Sequence, residues 1–219
     1  MSPTFSELKN QADTTSEVRK ILEQMVWLAP ITADPITSLT DENGALKALP
    51  EGYWPVGIIS TDGSTLATDV NVEDVEGFGY AQPVRRDITS ATQTVTVTCL
   101  ESFRKNVISL AYMMSLDDVE QALNGEIVFD RPALPEKQFY RMIRIGRDVT
   151  ANGDIYRAKF YPRIYSVSIP EEAWTTDAVT FPLELTPEVD KALGTSERNF
   201  IAGPGAKAAA TSLGFKQGA

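Results

Sequence analysis

Few residues in this chain have types and spacings suited to chemistry. Cys99 is the only cysteine and histidine is absent. That removes a Ser-His triad, a Cys-His pair, a histidine zinc motif and any imidazole base near neutral pH. The adjacent carboxylates Asp117-Asp118 and Glu171-Glu172 are the right donors for a hard cation, but neighbouring carboxylates more often solvate a loop or a helix start. Gly77-Phe78-Gly79 reads as a turn, and no Walker loop, C-x-x-C, EF-hand loop or G-x-S-x-G occurs. The remaining carboxylates scatter without a recognisable pair. The chain therefore reads as non-enzymatic, with no catalytic residues, no cofactor and no metal site.

Charge is distributed unevenly. The 219 residues carry a net charge of −10, with no signal-like N-terminus and no apolar run long enough for a membrane span. The expectation is a soluble protein made in a reducing cytosol. An acidic chain is poorly suited to gripping nucleic acid, which requires cations that displace condensed counterions. Residues 131–163 depart from the rest, with eight basic side chains against three acidic, net +5. In this block Arg141, Arg144, Arg147, Arg157 and Arg163 are candidates for a subunit interface that meets acidic surface on a neighbour. Tyr156, Phe160, Tyr161 and Tyr165 in the same stretch are read as sheet-packing residues.

The elements that would position these groups are mostly strands. Residues 25–31 read as a buried strand, 32–51 as a loop with two prolines and Asn43-Gly44, and Thr61-Asp62-Gly63-Ser64 as a turn. In 68–75, Val70 and Val72 alternate with Asp69, Asn71 and Glu73, which predicts a dry face and a wet one. In 92–100, Val95, Val97 and Cys99 alternate with Thr94, Thr96 and Thr98. Ser102 opens a helix of about three turns with an apolar stripe of Phe103, Val107, Leu110, Ala111 and Met114. A further helical turn is expected between Ser115 and Gly125, and a strand at 126–130. Asn152-Gly153 between two alternating runs predicts a hairpin, and Val179 to Leu185 alternates again. The domain plan is a flexible arm at 1–15, one β-sandwich domain at 16–190 and a flexible Gly/Ala-rich arm at 191–219. The fold class is mainly β, an antiparallel two-sheet sandwich or barrel with one flanking helix.

The order of these segments over about 50–190 resembles the major tail tube proteins of long-tailed, noncontractile bacteriophages. The resemblance rests on Gly57-Ile58-Ile59-Ser60-Thr61-Asp62-Gly63, the acidic strand Asp69 to Glu76 and the Ala81 to Arg85 loop. It continues through the Thr-rich strand Thr92 to Glu101, the helix from Ser102 to Met114, Tyr161-Pro162-Arg163, and Asp177 to Thr186.

The resemblance implies a subunit of a hexameric ring. Sheets of neighbours join into an inner barrel, rings stack into a tube, and genomic DNA passes through without specific binding. It also implies tape measure, tail terminator and tail tip proteins as partners, a place in the virion tail, and assembly in the bacterial host cytoplasm. Asp69, Asn71, Glu73, Thr94, Thr96 and Thr98 are then the candidate lumen lining. A tube of a contractile tail or secretion machine uses the same sandwich and remains an alternative. A stand-alone carbohydrate-binding sandwich would need an exposed aromatic row, and Trp27, Trp54 and Trp174 lie in three separate segments.

Overall fold

The computed structural model describes residues 2–13 and 17–216. A capped helix, α1 (Phe5–Ala12), comes first. The strands β1 (Glu23–Pro30), β2 (Trp54–Pro55), β3 (Ile59–Val75) and β4 (Arg85–Cys99) follow, then the helix α2 (Lys105–Tyr112). The strands β5 (Tyr140–Thr150), β6 (Gly153–Ser166), β7 (Phe181–Pro187) and β8 (Arg198–Ala202) and a short helix α3 (Pro204–Ala208) complete the order. All eight strands belong to one antiparallel sheet, ordered β2-β1-β5-β6-β7-β4-β3, with β8 paired to β6 beside this path.

The two ends of that order, β2 and β3, are consecutive in the chain. Val56 still donates to the Val26 carbonyl (3.1 Å), and two residues later Ile58 accepts from Leu100 (2.9 Å). The chain thus leaves one end of the sheet and joins the other within a single corner. Gly57 makes that corner at φ +86°, where a side chain would be strained and a Cβ would collide with the Glu101 carboxylate. Glu101 is needed in that place because it accepts the Ile58 N–H (2.8 Å).

Curling the sheet in this way encloses one core. Alternate residues of β4 and β7, namely Val95, Val97, Cys99, Phe181, Leu183 and Leu185, are buried against Val26, Leu28, Met142, Tyr161 and Ile164, with Val107, Leu110 and Ala111 of α2 closing it. A second cluster lies on the opposite face of the β5–β6 hairpin, where Ile143, Ile145, Ala158 and Phe160 meet Ile36 and Leu39 of the long 32–51 loop. The central hairpin is therefore buried on both faces. Its turn falls at Ala151-Asn152, with Gly153 at φ +104° pairing with Thr150, close to where Asn-Gly predicts it.

Several expectations are corrected. The helix starts after Arg104 and ends at Met113, which takes the left-handed conformation, so it has two turns and Phe103 is exposed. Between Ser115 and Gly125 there is no helix, because the Ser115 hydroxyl accepts the Asp117 N–H (3.2 Å) in a local turn instead of capping one. Residues 126–130 form no strand; Ile127 makes only a single bridge to Gln121. Residues 61–64 are not a turn but an irregularity inside β3, where register jumps from Ile59–Cys99 to Ser64–Val97.

The 191–219 segment is not a free arm over its described length. Residues 198–202 pair with β6, and Gly205 and Ala206 of α3 are buried beside it. Backbone pairing to an open edge is insensitive to a Gly/Ala-rich composition. At the N-terminus, α1 has no buried residue. Met1, Thr14, Thr15, Ser16 and the last three residues lie outside the described ones.

One ion pair ties the loops to this frame. Arg141 donates to the carbonyls of Ala33 (2.7 Å) and Pro162 (2.9 Å) and to Asp190 (3.2 Å), and the paired side chains are only 11% and 12% exposed. Burial pushes the Asp190 carboxyl pKa up, but the N–H groups of Ala192 and Leu193 and the Arg141 guanidinium outweigh it and hold it below its usual value. A carboxyl depressed in the folded state contributes stability above its unfolded pKa of ~3.9, and that stability is lost as pH falls through the lower folded value. Arg141→Ala should lower the unfolding free energy by about 3 kcal/mol at neutral pH, and Asp190→Asn should flatten the acid limb of stability against pH. Urea titrations across the acid range read both. An equal loss in the exposed Arg157→Ala would show that the ion pair is not the source.

Candidate functional site

The β3–β4 hairpin outruns the core. Leu66 and Val95 form the last registered pair with a buried member, and pairing continues to Val75–Arg85. At about 3.3 Å per residue, Leu66 to Val75 extends roughly 30 Å. No residue from 67 to 92 is buried. β3 is also the last strand of the sheet order, so the outer edge of this arm carries no strand.

Register decides which side chains share a face, since directly opposed residues in an antiparallel pair point the same way. The pairs Thr65–Thr96, Ala67–Thr94, Asp69–Thr92, Asn71–Ser90 and Glu73–Asp87 make one face. It continues onto β7 through Thr96–Glu184 and Thr98–Pro182. The candidates Asp69, Asn71, Glu73, Thr94, Thr96 and Thr98 are thus brought together on a single surface of carboxylates and hydroxyls. Asn71 reaches across to Ser90 (2.9 Å).

No Lys or Arg occurs in 59–75 or 87–99. The arm's cations stand at its tip and are paired there. Arg85 donates to Asp87 (2.6 Å), which offsets the like charges of Glu73 and Asp87, and Arg86 grips Asp74 through two bonds (2.7 and 2.9 Å). The hydrogen bond from Arg86 holds the Asp74 carboxyl below its usual pKa.

The other face corrects the sequence reading. Val70 and Val72 are 49% and 47% exposed and their neighbour Ile88 is 73% exposed, so the predicted dry face is uncovered, and it is apolar only over that patch, between the Thr68–Gln93 and Asp74–Arg86 pairs. The alternation is real; what is missing is a core beneath it. At the tip Phe78, Tyr80 and Val84 are exposed as well.

The arginine candidates separate. Arg141 is engaged inside its own chain, as described. Arg144 donates to the Ser64 carbonyl (3.0 Å) and hydroxyl (3.1 Å), holding the irregular start of β3. Arg147 pairs with Glu23 and Asp154 (3.1 Å each). Arg163 pairs with Glu188 (3.2 Å) and lies over the Phe139 ring at 3.4 Å. Arg157 is exposed in a cleft with Lys159, which is itself paired with Glu197 (2.7 Å). The block is therefore mostly internal bracing, and Arg157 is its most available member.

Cys99 is wholly buried, and burial pushes its thiol pKa up to about 12. Among the described residues no group of three or more His, Cys, Asp or Glu side chains is placed to hold a metal ion. No helix among them is long and apolar enough to cross a membrane. No protein-family model matches the chain, and no curated protein matches it either.

Because nothing from 67 to 92 contributes to the core, the arm is dispensable for folding. Replacing residues 68–93 by Asn-Gly closes a two-residue hairpin on the Ala67–Thr94 pair. The shortened chain is expected to melt within a few degrees of the full one by circular dichroism. A cooperative transition that is lost or shifted far downward would mean that the arm carries folding energy.

Proposed function

We propose that this chain is the structural subunit of a bacteriophage tail tube of the long-tailed, noncontractile type, forming stacked, hexameric rings whose bore conducts genomic DNA. The observation that carries the reading is the arm: a strand pair about 30 Å beyond its core, with an exposed apolar patch on one face, carboxylates and hydroxyls on the other, and an unpaired edge. A monomer gains nothing from such an element. In a ring, the edge joins a neighbour's sheet, the apolar face is covered, and the polar face is left to line the bore. The order of sequence segments that resembles tail tube proteins supports the same assignment independently of the arm's exposure.

The lining follows from electrostatics. Duplex DNA carries about one negative charge per 1.7 Å of axis, and a wall of carboxylates and hydroxyls offers no cation for it to exchange counterions with. Charges are screened beyond roughly 8 Å at physiological salt, so such a lining acts at the wall. The polymer slides past a surface that it neither binds nor specifically recognises. The subunit itself makes and breaks no covalent bond.

Negative-stain microscopy of the purified chain at rising concentration should show rings and then tubes. A species that stays monomeric at every concentration overturns the proposal. Replacing Asp69 and Glu73 together with Lys should leave rings and tubes intact, because both side chains are exposed and unpaired with cations. DNA delivery by those tubes should be slowed, more at low salt than at high. Delivery at the normal rate in both conditions would remove this face from the bore.

A further inference from the structure

Asparagine precedes glycine at three places, Asn43-Gly44, Asn124-Gly125 and Asn152-Gly153. In such a pair the glycine nitrogen has no side chain beside it to block attack on the asparagine carboxamide, so the chain can modify itself. The glycine N–H must first leave its hydrogen bond, and the turn needs room to close a five-membered ring. The fold treats the three pairs differently.

Two of the turns are covered by the same piece of chain, residues 203–205. A Cβ on Gly44 would meet the Pro204 nitrogen at 3.0 Å and the Gly203 carbonyl carbon at 3.1 Å, and one on Gly153 would meet Pro204 Cγ at 3.0 Å. Gly44 is buried and its N–H donates to the Asp41 carbonyl (3.0 Å). The Asp41 carboxylate also accepts the N–H groups of Asn43 and Ala45 (2.9 Å each). Gly153 closes the β5–β6 ladder opposite Thr150, whose hydroxyl donates to the Gly153 carbonyl (2.7 Å). Freeing either glycine disturbs the body of the protein.

The third turn stands clear of the body. Every residue from 120 to 128 is exposed, and a Cβ on Gly125 would meet only Gln121, at 3.9 Å. The Gly125 N–H donates to the Ala122 carbonyl (2.8 Å), a bond that opens with this turn alone. One residue holds both ends of the Asn124 carboxamide: Oδ1 accepts the Glu126 N–H (3.1 Å) and Nδ2 donates to the Glu126 carboxylate (3.3 Å). Among the described residues, the side chains of Asn43 and Asn152 make no such bonds.

We infer that Asn124-Gly125 is a self-modification site, at which the folded chain converts asparagine to isoaspartate and aspartate. The Gly125 nitrogen attacks Asn124 Cγ, so an N–Cγ bond forms and the Cγ–Nδ2 bond breaks. The NH2 group leaves as ammonia, with the proton that the Gly125 nitrogen gives up. Negative charge gathering on Oδ1 during the attack falls on the Glu126 N–H, which is already aimed at it. Solvent water then opens the succinimide. Cleavage of the N–Cγ bond gives aspartate with an ordinary backbone. Cleavage at the main-chain carbonyl carbon of residue 124 gives isoaspartate, with the chain running through the side-chain carboxyl. Either product adds a carboxylate to a loop that already carries Glu120 and Glu126. Isoaspartate also lengthens the backbone by one carbon inside the turn that the Gln121–Ile127 bridge closes. None of this rests on the tube reading.

The test holds the unaltered, folded chain at mildly alkaline pH and physiological temperature and samples it over weeks. Peptide mapping by mass spectrometry reads each asparagine, and labelling with an isoaspartyl O-methyltransferase reads isoaspartate. Asn43 and Asn152 should convert roughly tenfold or more slowly than Asn124. In concentrated urea, where residues 203–205 no longer cover the other two turns, the three rates should converge. Asn124→Gln, which could close only a slower six-membered ring, should abolish methyl acceptance by the folded chain and leave its melting curve unchanged. Equal conversion of all three pairs in the folded chain overturns the inference. So does an Asn124 that stays intact when folded yet converts in urea, and so does methyl acceptance that persists in the folded Asn124→Gln chain.

Discussion

Backbone hydrogen bonding in the β3–β4 ladder does not need a core to continue. Each added pair satisfies its own N–H and C=O groups, and β-branched side chains on both strands favour the pleat. Side-chain burial obeys a different limit, set by the curled sheet and α2, and here it stops near Leu66. The gap between the two limits is the arm. The rest of the molecule is arranged so that the arm is rooted firmly and left uncovered. Gln24 and Arg144 both bond Ser64 at its base, and the Gly57 corner fixes the direction in which β3 departs.

The root is well supported because the central hairpin is buried on both sides. Two clusters share the β5–β6 backbone, so the body resists the leverage of a long projection. The basic side chains of that hairpin contribute from within. Arg141 clamps the 190–193 turn and the start of the 31–53 loop onto the strands, and Lys159 with Glu197 secures the approach to β8. A positive block in an acidic chain thus acts mainly as bracing, with the guanidiniums of Arg141, Arg144, Arg147 and Arg163 turned toward carbonyls and carboxylates of their own chain and Arg157 left exposed.

Much of this was legible in the residues. A short apolar run found β1, two alternating runs about Asn152-Gly153 found β5 and β6, and alternation found β7 and the 92–99 half of β4, whose buried members it named correctly because one face there is dry. Burial of Val70 and Val72 was not legible: alternation reports which residues share a face, and nothing local reports whether a core lies beneath it. β8 escaped for a related reason, since its place depends on an open edge of β6 that no neighbouring residue encodes. The role of the arginines escaped because their partners, Asp190 and Glu188 among them, are distant in sequence and were brought close by the curl of the sheet. The arm left one signal that could have revealed it: strand-like text from 59 to 99, broken only at 76–84, is too long for one domain-sized core to cover.

An unpaired strand edge with apolar side chains beside it is ordinarily a hazard, since any other chain can add to it. In this chain the hazard is held off by charge. Two arms approaching edge to edge bring Asp69, Glu73 and their like within a few ångströms of one another, without a single cation along the shafts to relieve the repulsion. Over a Debye length of about 10 Å at moderate salt, that repulsion is felt before the hydrogen bonds that would reward the encounter. The acidic face is in this sense a timing device. It opposes the approach of two exposed edges before any hydrogen bond between them can form.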